Sequence, residues 1–162
     1  MAYAIFRTAK LKTGGEIAAS VQHCMRTRAT PNAIPGIKNR IVWGTANPQK
    51  DIDERLAEAK GRANSVKVIE VLSTVSPEWF EQASPDQVTD WWKKSCTEII
   101  RTFGKQNVVH LQLHFDESTP HITGYVVPNK DGRLNARHWL GGRQKLSELQ
   151  DRMAKCIEHL GI

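Results

Sequence analysis

The chain has 162 residues and a formal net charge of +6, with 40% hydrophobic and 25% charged residues. This length and mixture are typical of a single globular domain with its own hydrophobic core, so we expect one domain over residues 1–162. The three cysteines are widely separated and form neither a disulfide framework nor a CxxC zinc pair, which favours a reducing compartment. No apolar run reaches the ~18 residues of a membrane span and no secretory leader opens the chain, so the sequence predicts a cytoplasmic protein.

The positive charge is concentrated at the two ends of the chain. Residues 1–50 contain eight Lys or Arg and one acidic residue, residues 51–127 contain eight and twelve, and residues 128–162 contain seven and four. Lys and Arg side chains supply sequence-independent affinity for the phosphates of nucleic acids, so the asymmetry indicates a polyanionic partner. The candidate phosphate-binding residues are Arg7, Lys10, Lys12, Arg28, Lys38 and Arg40, with Arg133, Arg137, Arg143 and Lys145 from the other end.

The first third of the chain predicts a strand, a helix and a long loop. "AYAIFRTA" is typical of a strand, and "GEIAASVQHCMRTR" has the spacing of an amphipathic helix. The inward positions of this helix are Ile17, Val21, Cys24 and Met25, and its other face carries Glu16, Ser20, His23 and Arg26. Residues 29–50 contain three prolines and two glycines around a short apolar "IVW", which predicts a loop with one brief strand.

The middle and end of the chain alternate helices and strands. "DIDERLAEAKGR" predicts a short charged helix, and "SVKVIEVLSTV" predicts a strand. Ser76 before Pro77 and Ser84 before Pro85 mark two helix starts, the second with Gln87 as a capping box. The second of these helices has an apolar stripe through Trp91 and Trp92 and should stop at Gly104. A last helix, from about Arg143 to Leu160, should bury Leu146, Leu149, Met153, Ile157 and Leu160.

Two strands joined by a short polar turn form the most distinctive stretch, "HLQLHFDESTPHITGYVVP". In "VVHLQLHF", Val109, Leu111, Leu113 and Phe115 alternate with His110, Gln112 and His114, so we expect one core face and one open face. In an antiparallel hairpin His114 and His121 meet on the open face at the loop end, and Glu117 lies above them. Two imidazoles and a carboxylate with free coordination positions suit a divalent ion that also holds phosphate oxygens. A polar face whose histidines only form hydrogen bonds is the other interpretation.

The same stretch resembles a known family. "HFDESTPHITGYVVPNKDGRLNAR" is similar to the signature of the bacterial plasmid mobilisation and recombination relaxases, the Mob/Pre or MobV group, in which His-x-Asp-Glu-x-Thr-Pro-His-x-His precedes a Val-Pro and a basic helix. "MAYAIFRTAKLKTGGEIAASVQHCMR" resembles their first motif, a strand followed by a helix with a His and an Arg three residues later. The similarity extends loosely through "NSVKVIEVLSTVSPEWFE" and so touches most of the chain.

This resemblance implies a fold, an activity and a metal. Relatives of this histidine-hydrophobic-histidine superfamily have an α+β fold, with a central antiparallel sheet, helices packed on it and a divalent cation, often Mn²⁺ or Mg²⁺. They nick one strand of supercoiled plasmid DNA at an origin of transfer and stay attached to the 5′ phosphate. The metal ligands carry over to His114, Glu117 and His121. Thr123 replaces the second histidine of the family pattern, so we expect altered or weakened metal choice. The chain is then a nicking domain, with a longer protein possible.

The resemblance also implies a nucleophile. The first family motif places it at His23, and the chain has only two tyrosines to compete, Tyr3 and Tyr125. Tyr3 begins the first strand, and Tyr125 lies deep along the hairpin. A neutral imidazole can attack phosphorus and conserve the bond energy as a phosphoramidate. Arg26, three residues after His23, would favour the neutral ring and stabilise charge on the phosphorane.

Two other functions fit parts of the sequence. The "HFD" motif also matches a two-His-one-carboxylate iron oxygenase, with His138 or His159 as the distant ligand, although such enzymes need a jelly roll of many strands. A non-catalytic DNA-binding module would explain the charge but not the "DESTPH" cluster.

Overall fold

The computed structural model describes all 162 residues. Its strands are β1 (Ala4–Leu11), β2 (Arg40–Trp43), β3 (Val68–Val75), β4 (Val108–His114), β5 (His121–Val126), β6 (Asn129–Lys130) and β7 (Arg133–Leu134). Its helices are α1 (Gly14–Cys24), α2 (Pro48–Leu56), α3 (Pro77–Gln82), α4 (Pro85–Phe103), α5 (Arg137–Leu140) and α6 (Arg143–Lys155), followed by a 3-10 turn at Glu158–Leu160. None of the helices combines the length and hydropathy that a membrane span needs.

A single five-stranded sheet organises the fold. Its strand order is β1-β3-β5-β4-β2, and β6 and β7 form a separate two-stranded ribbon. Every pair of neighbouring strands in the main sheet is antiparallel. The predicted α+β architecture, a central antiparallel sheet with helices packed on it, is confirmed. The predicted hairpin is also confirmed as β4 and β5, and β5 occupies the middle of the sheet.

Helices cover both faces of this sheet, so the molecule has two cores. The larger core contains Trp91 of α4 with Leu111 and Ile122 of the sheet, and α3 and α6 also contribute to it. The smaller core lies under α1 and α2 and contains Ile52 and Tyr125. Because successive side chains of a strand point to opposite faces, β5 sends Ile122 to the larger core and Tyr125 to the smaller one. The polar side chains of the hairpin therefore lie on the α1 side.

Local hydrogen bonds explain where the two principal helices begin. At the predicted start of α4, Gln87 N donates to Ser84 Oγ at 3.2 Å, and Ser84 N donates to Gln87 Oε1 at 2.8 Å. Gly104, with φ of 97°, follows the last residue of α4 as predicted. Thr13 and Glu16 form a second capping box, which fixes the start of α1. The start of α1 matters most, because it determines which side chains its last turn presents.

Two predicted features of the hairpin are wrong in detail. The face with His110, Gln112 and His114 is not open, because α1 and α2 cover it and leave these residues 0%, 5% and 1% exposed. Val109 packs with the smaller core rather than with Leu111, because a bulge between Val108 and His110 reverses the alternation there.

The predicted last helix is also too long. Regular helix stops at Lys155, and the 3-10 turn follows. Leu149, Met153 and Ile157 are buried as predicted, but Leu146 is 40% exposed. Helical spacing sets the side on which a residue lies, not the depth to which it is buried, so the first turn of α6 remains outside the core.

Gly124 provides a test of how tightly the sheet is packed beneath the hairpin. A Cβ atom at this position would lie 2.5 Å from Leu111 Cδ2 and 2.9 Å from Val71 Cγ2. Both gaps are shorter than van der Waals contact, so we expect Gly124→Ala to lower the free energy of unfolding by about 1–3 kcal/mol. Gly14→Ala, which meets no atom within 4 Å, should not destabilise the protein. Urea denaturation compares the two variants, and equal stabilities would contradict the expected overpacking.

Candidate active site

A cleft of about 510 Å³ lies on the α1 side of the sheet, at the end where β4 turns into β5. We call it the hairpin cleft. Strands β1, β3 and β5 form its floor, and the end of α1 and the loop at residues 115–120 form its walls. All five predicted catalytic and metal-binding residues line it: His23, Arg26, His114, Glu117 and His121. These five residues come from two distant parts of the chain, the end of α1 and the β4–β5 hairpin, and the fold brings them to one site.

The two hairpin histidines stack against each other. His114 ends β4, His121 begins β5, and the two residues are direct partners across the strands. Their ring centroids are 4.9 Å apart and the ring planes differ by 9°. His121 Nδ1 lies 3.1 Å from the carbonyl oxygen of Thr119, so Nδ1 carries the proton and donates it. The lone pair on Nε2 of His121 is free, which is the form in which imidazole binds metals.

His114 is buried and electrically neutral. Burial, reinforced by the charges of His121 and Arg26, lowers the pKa of His114 to about 3. Arg26 Nη2 lies 3.2 Å from His114 Nδ1, and since a guanidinium only donates, Nδ1 is the accepting nitrogen. His114 Nε2 therefore carries the hydrogen and faces Cys24 Sγ at 3.4 Å. Both ring nitrogens are engaged.

A chain of buried polar groups continues from His114 beneath α1. Cys24 Sγ lies 3.7 Å from Gln112 Oε1, which lies 2.9 Å from His110 Nε2. Burial raises the pKa of Cys24 to about 12 and lowers that of His110, so both side chains are neutral. His110 Nδ1 has no hydrogen-bond partner. Alternation along the strand predicted these polar positions, but their burial depends on α1 and α2.

Arg26 is the most connected side chain of the cleft. Its Nε and Nη2 donate to the two oxygens of Asp116 at 2.8 Å each, and Nη2 also donates to Glu117 Oε1 at 2.8 Å. Its Nη1 donates to the carbonyl oxygen of His23 at 2.7 Å. The guanidinium therefore connects the end of α1 to the β4–β5 loop.

The expected position of Arg26 on the face of the first helix is wrong. Helix α1 ends at Cys24, and Arg26 follows it with φ of 59°, in the left-handed region. Few residues other than glycine adopt this conformation, so it is maintained by the surrounding contacts. The turn directs the side chain down to Asp116 rather than along the helix beside His23.

Asp116 anchors the loop and was absent from the predicted site residues. Its side chain is 5% exposed, whereas that of Glu117 is 26% exposed. The hydrogen bonds from Arg26 lower the pKa of Asp116 to about 2. The cue was present in the sequence, because Asp116 lies between two proposed ligands, but its partner could be identified only from the fold.

His23 is exposed in the last turn of α1 and faces the cleft. Two contacts of Ser20, one turn earlier, fix the rotation of the helix. Ser20 Oγ donates to Glu70 Oε1 at 2.6 Å and lies 2.9 Å from the hydroxyl oxygen of Tyr125. Since residues three apart share a helix face, these contacts turn His23 towards the cleft.

Neither tyrosine is placed to act as a nucleophile. Tyr125 is 0% exposed, and burial raises the pKa of its phenol well above the ordinary value. Tyr3 is 58% exposed, but it precedes β1 and does not line the cleft. Its backbone N–H donates to Ser76 Oγ, and its carbonyl oxygen accepts from the backbone N–H of Ser76.

The predicted metal ligands share the cleft without forming a finished metal centre. No three His, Cys, Asp or Glu side chains converge closely enough to hold an ion. Glu117 is bonded to Arg26, and the nitrogens of His114 face Arg26 and Cys24. The donor chemistry still fits a divalent cation, because two imidazoles and one carboxylate line the same cleft. Thr123, at the position of the family's second histidine, also lines the cleft and offers only a hydroxyl.

The predicted phosphate-binding residues are spread over the whole surface. Arg7 lines the hairpin cleft, and Arg28 lines an adjoining groove that also includes Arg26. Arg40 points to the opposite face of the sheet, where its guanidinium lies 5.3 Å from the ring centroid of Trp92. Lys12 and Lys38 are exposed outside the cleft.

The remaining predicted cations lie at the far end of the sheet. Lys10 pairs with Ile69, the partner of Val126 at the end of β5. Arg133 and Arg137 follow β5, which by its strand rise spans roughly 17 Å from His121. The structure therefore does not bring the C-terminal cations to the cleft.

The oxygenase interpretation is wrong. His138 lies in α5 and His159 pairs with Asp90, and neither lines the cleft. One five-stranded sheet with helices on both faces is not a jelly roll.

The pKa of Asp116 predicts a pH dependence of stability. A carboxyl group with a depressed pKa stabilises the fold above its unfolded pKa of 3.8, and this contribution is lost as the pH falls through about 2. In chelator-treated protein, Asp116→Asn should lower the free energy of unfolding by about 2 kcal/mol at neutral pH. The gap to the unmodified protein should narrow as the pH falls below 3.8 and close only below about pH 2, where Asp116 is protonated in both the folded and the unfolded state. Denaturation at several pH values measures the gap, with exposed Asp131→Asn as the control; a constant gap would contradict the Arg26 pairing.

Comparisons with known proteins agree with the fold and the motifs. A sequence profile of the family Mob_Pre, described as plasmid recombination enzyme, matches residues 1–162. A "65 kDa protein" of Zymomonas mobilis is 42% identical over 99% of this chain and 29% of its own length. Plasmid recombination enzyme type 2 of Staphylococcus aureus is 31% identical over the whole chain and 41% of its own length. The chain thus spans less than half of these curated relatives.

A solved structure shows the same fold. The MobM relaxase domain (MOBV; Mob_Pre), bound to plasmid pMV158 oriT DNA and manganese, superposes with a TM-score of 0.86. The match covers 99% of this chain and 87% of the MobM chain at 22% identity. Since the profile covers every residue, the resemblance noted in the sequence is confirmed, and the chain belongs to the Mob_Pre family of plasmid recombination enzymes.

Proposed function

We propose that this chain is the DNA-nicking domain of a longer plasmid mobilisation protein, a relaxase that cuts one strand at an origin of transfer. The observation that carries the proposal is the convergence of His23, His114, Glu117 and His121 on one cleft. Family membership supports it, as does the likeness to a relaxase domain that is bound to plasmid oriT DNA. The direct test is incubation with supercoiled plasmids carrying candidate origins, with and without Mn²⁺, and measurement of nicked circles.

His23 is the proposed nucleophile. A lone pair of its neutral imidazole attacks phosphorus, a P–N bond forms, and the bond from phosphorus to the 3′ oxygen breaks. The departing 3′ oxygen becomes a hydroxyl by taking up the proton that the substituted imidazolium loses. The 5′ phosphate remains on His23 as a phosphoramidate, which keeps the reaction reversible. The imidazole ring of His23 is exposed at the edge of the cleft, outside the buried polar chain, so DNA can reach its attacking nitrogen.

The proposed cation ligands are His114, Glu117 and His121. A divalent cation supplies positive charge to the non-bridging phosphate oxygens at such a site. His121 needs no rearrangement, because its Nε2 is already free. His114 must release one of its two present contacts, and the unbonded oxygen of Glu117 is available. Arg26 places its charge beside the same phosphate and ties the ligand loop to the turn after His23.

Phosphate contacts are the proposed source of DNA affinity. Arg7 and Arg28 lie at the cleft and its adjoining groove, so they are placed to hold the strand near the nick. Lys10, Arg133 and Arg137 lie at the far end of the sheet and can hold only more distant phosphates. DNA entering the cleft thus meets a surface that is positive on both sides of the reacting group.

Metal binding by the three ligands is the first functional prediction. His114→Ala, Glu117→Ala and His121→Ala should each weaken Mn²⁺ binding at least about tenfold, the scale of losing one ligand, and remove nicking. Isothermal titration calorimetry measures binding, and far-UV circular dichroism checks that each variant is folded. His138→Ala and His159→Ala are matched controls, because both histidines lie outside the cleft. Full nicking by chelated protein would remove the cation from the mechanism.

The covalent intermediate is the second functional prediction. A phosphohistidine is labile in acid and comparatively stable in base, whereas a tyrosyl phosphodiester survives acid. We expect an acid-labile protein–DNA adduct that His23→Ala abolishes without loss of Mn²⁺ binding. Arg26→Ala should slow nicking by roughly 100-fold, the scale of losing one electrostatic contact to the transition state.

The tyrosines provide the matched controls for this experiment. Tyr125→Phe and Tyr3→Phe should retain the adduct, since neither phenol reaches the cleft in reactive form. Denaturing gel electrophoresis of labelled DNA detects the adduct before and after acid treatment. An acid-stable adduct that persists in His23→Ala would disprove the assignment.

A further inference from the structure

An exposed apolar turn lies next to the hairpin cleft, in the segment "AIPGI" at residues 33–37, which we call the AIPGI turn. Ile34 is 50% exposed and Ile37 is 43% exposed, and they are two of only five large hydrophobic residues exposed on the molecule. A soluble domain normally leaves such side chains scattered, so two together in one turn indicate a contact surface.

The turn is held in place rather than merely left outside the core. The backbone N–H of Ile34 donates to the carbonyl oxygen of Asp116 at 2.5 Å. The backbone N–H of Phe115 donates to Asn39 Oδ1 at 2.9 Å, on the other side of the turn. Gly36, with φ of 85°, reverses the chain between the two isoleucines. Both anchors belong to the loop that carries Glu117, so the AIPGI turn has a fixed position relative to the cleft.

A groove of about 340 Å³ runs along the turn and joins the cleft. It is lined by Ile34, Pro35 and Ile37 on one side and by Arg28 on the other. Arg26 lines both the groove and the cleft, so the two spaces adjoin at its side chain. The groove therefore extends the path of a strand that has its phosphate at His23.

The charge around the turn selects the kind of partner. Residues 26–40 contain four cations and no acidic residue: Arg26 and Arg28 line the groove and Lys38 is exposed next to Ile37, whereas Arg40 points to the opposite face of the sheet. Asp116, the acidic residue in the groove lining, is neutralised by its two hydrogen bonds to Arg26. An apolar surface with a cationic rim matches an unpaired nucleotide, whose base is flat and weakly polar and whose phosphate is negative.

We propose that the AIPGI turn is a base-binding subsite, in which Ile34 and Ile37 contact an unstacked base of single-stranded DNA beside the nick while Arg28 holds its phosphate. The inference rests on the proposed function, since it assumes that a DNA strand enters the cleft. It adds a contact to the base itself, which phosphate-binding arginines do not provide. An aliphatic surface has no hydrogen-bonding pattern, so the subsite favours an accessible base over a paired one without reading its identity.

The test separates contacts to bases from contacts to phosphates. Binding is measured by fluorescence anisotropy with labelled oligodeoxythymidine and with a fully abasic oligonucleotide of equal length. The unmodified protein should prefer the base-containing strand by about tenfold. Ile34→Ser combined with Ile37→Ser should reduce this preference to about twofold or less and leave binding to the abasic strand unchanged. Arg28→Ala should weaken binding to both strands alike. It should also reduce the steepness of the plot of log binding constant against log salt concentration by about 0.7.

Matched controls keep the outcomes distinct. Leu146→Ser removes an exposed side chain of the size of isoleucine from α6, outside the groove, and should change the affinity for neither strand. The proposal is overturned if the double isoleucine variant keeps the full preference, or if the unmodified protein binds both strands equally. It is also overturned if sedimentation shows that the isoleucines join two copies of the chain. If the unmodified protein bound neither strand, the proposed nicking function would be rejected together with the subsite. Equal binding to both strands would reject the subsite alone.

Discussion

The rest of the cleft depends on the hydrogen bonds that the Arg26 guanidinium donates. One planar group donates to the carbonyl of His23, to both oxygens of Asp116 and to Glu117. No other side chain joins the end of α1 to the β4–β5 loop in this way. The backbone must enter the left-handed region at φ of 59° to direct the guanidinium there. A partly buried bidentate ion pair of this kind is costly to break, because removal of either partner leaves the charge of the other unpaired.

The sheet supplies the second constraint, and it acts through register. Antiparallel pairing makes His114 and His121 direct partners, so their rings can stack, and the carbonyl oxygen of Thr119 in the loop orients the His121 ring. Below them, α1 covers a chain of neutral polar groups that runs from His114 through Cys24 and Gln112. The two histidines therefore meet where this polar row reaches the hairpin cleft. A slip of either strand by one residue would turn the histidine of that strand towards the larger core.

Sequence reasoning succeeded where one local rule decided the outcome. Period-2 alternation was sufficient to place His114 and His121 together, and the capping box at Ser84 located the start of α4 within the chain. The predictions failed where contacts between distant residues determine the structure. Nothing in the sequence links Arg26 to Asp116, which are 90 positions apart. Helical spacing also predicted an α1 that continues past its observed end. Burial of His110 likewise could not be predicted, because the helix that covers it comes from another part of the chain.

The cleft divides its chemistry between anchored and available groups. Arg26 makes two bonds to Asp116, which is 5% exposed, but only one to Glu117, which is 26% exposed. The neighbouring carboxylates are thus unequal: Asp116 fixes the loop, and Glu117 retains a free oxygen. The histidines differ in the same sense, because His114 is engaged at both nitrogens while His121 keeps Nε2 free. The anchored member of each pair holds its neighbour in position, so the groups left available can exchange partners without unfolding the site.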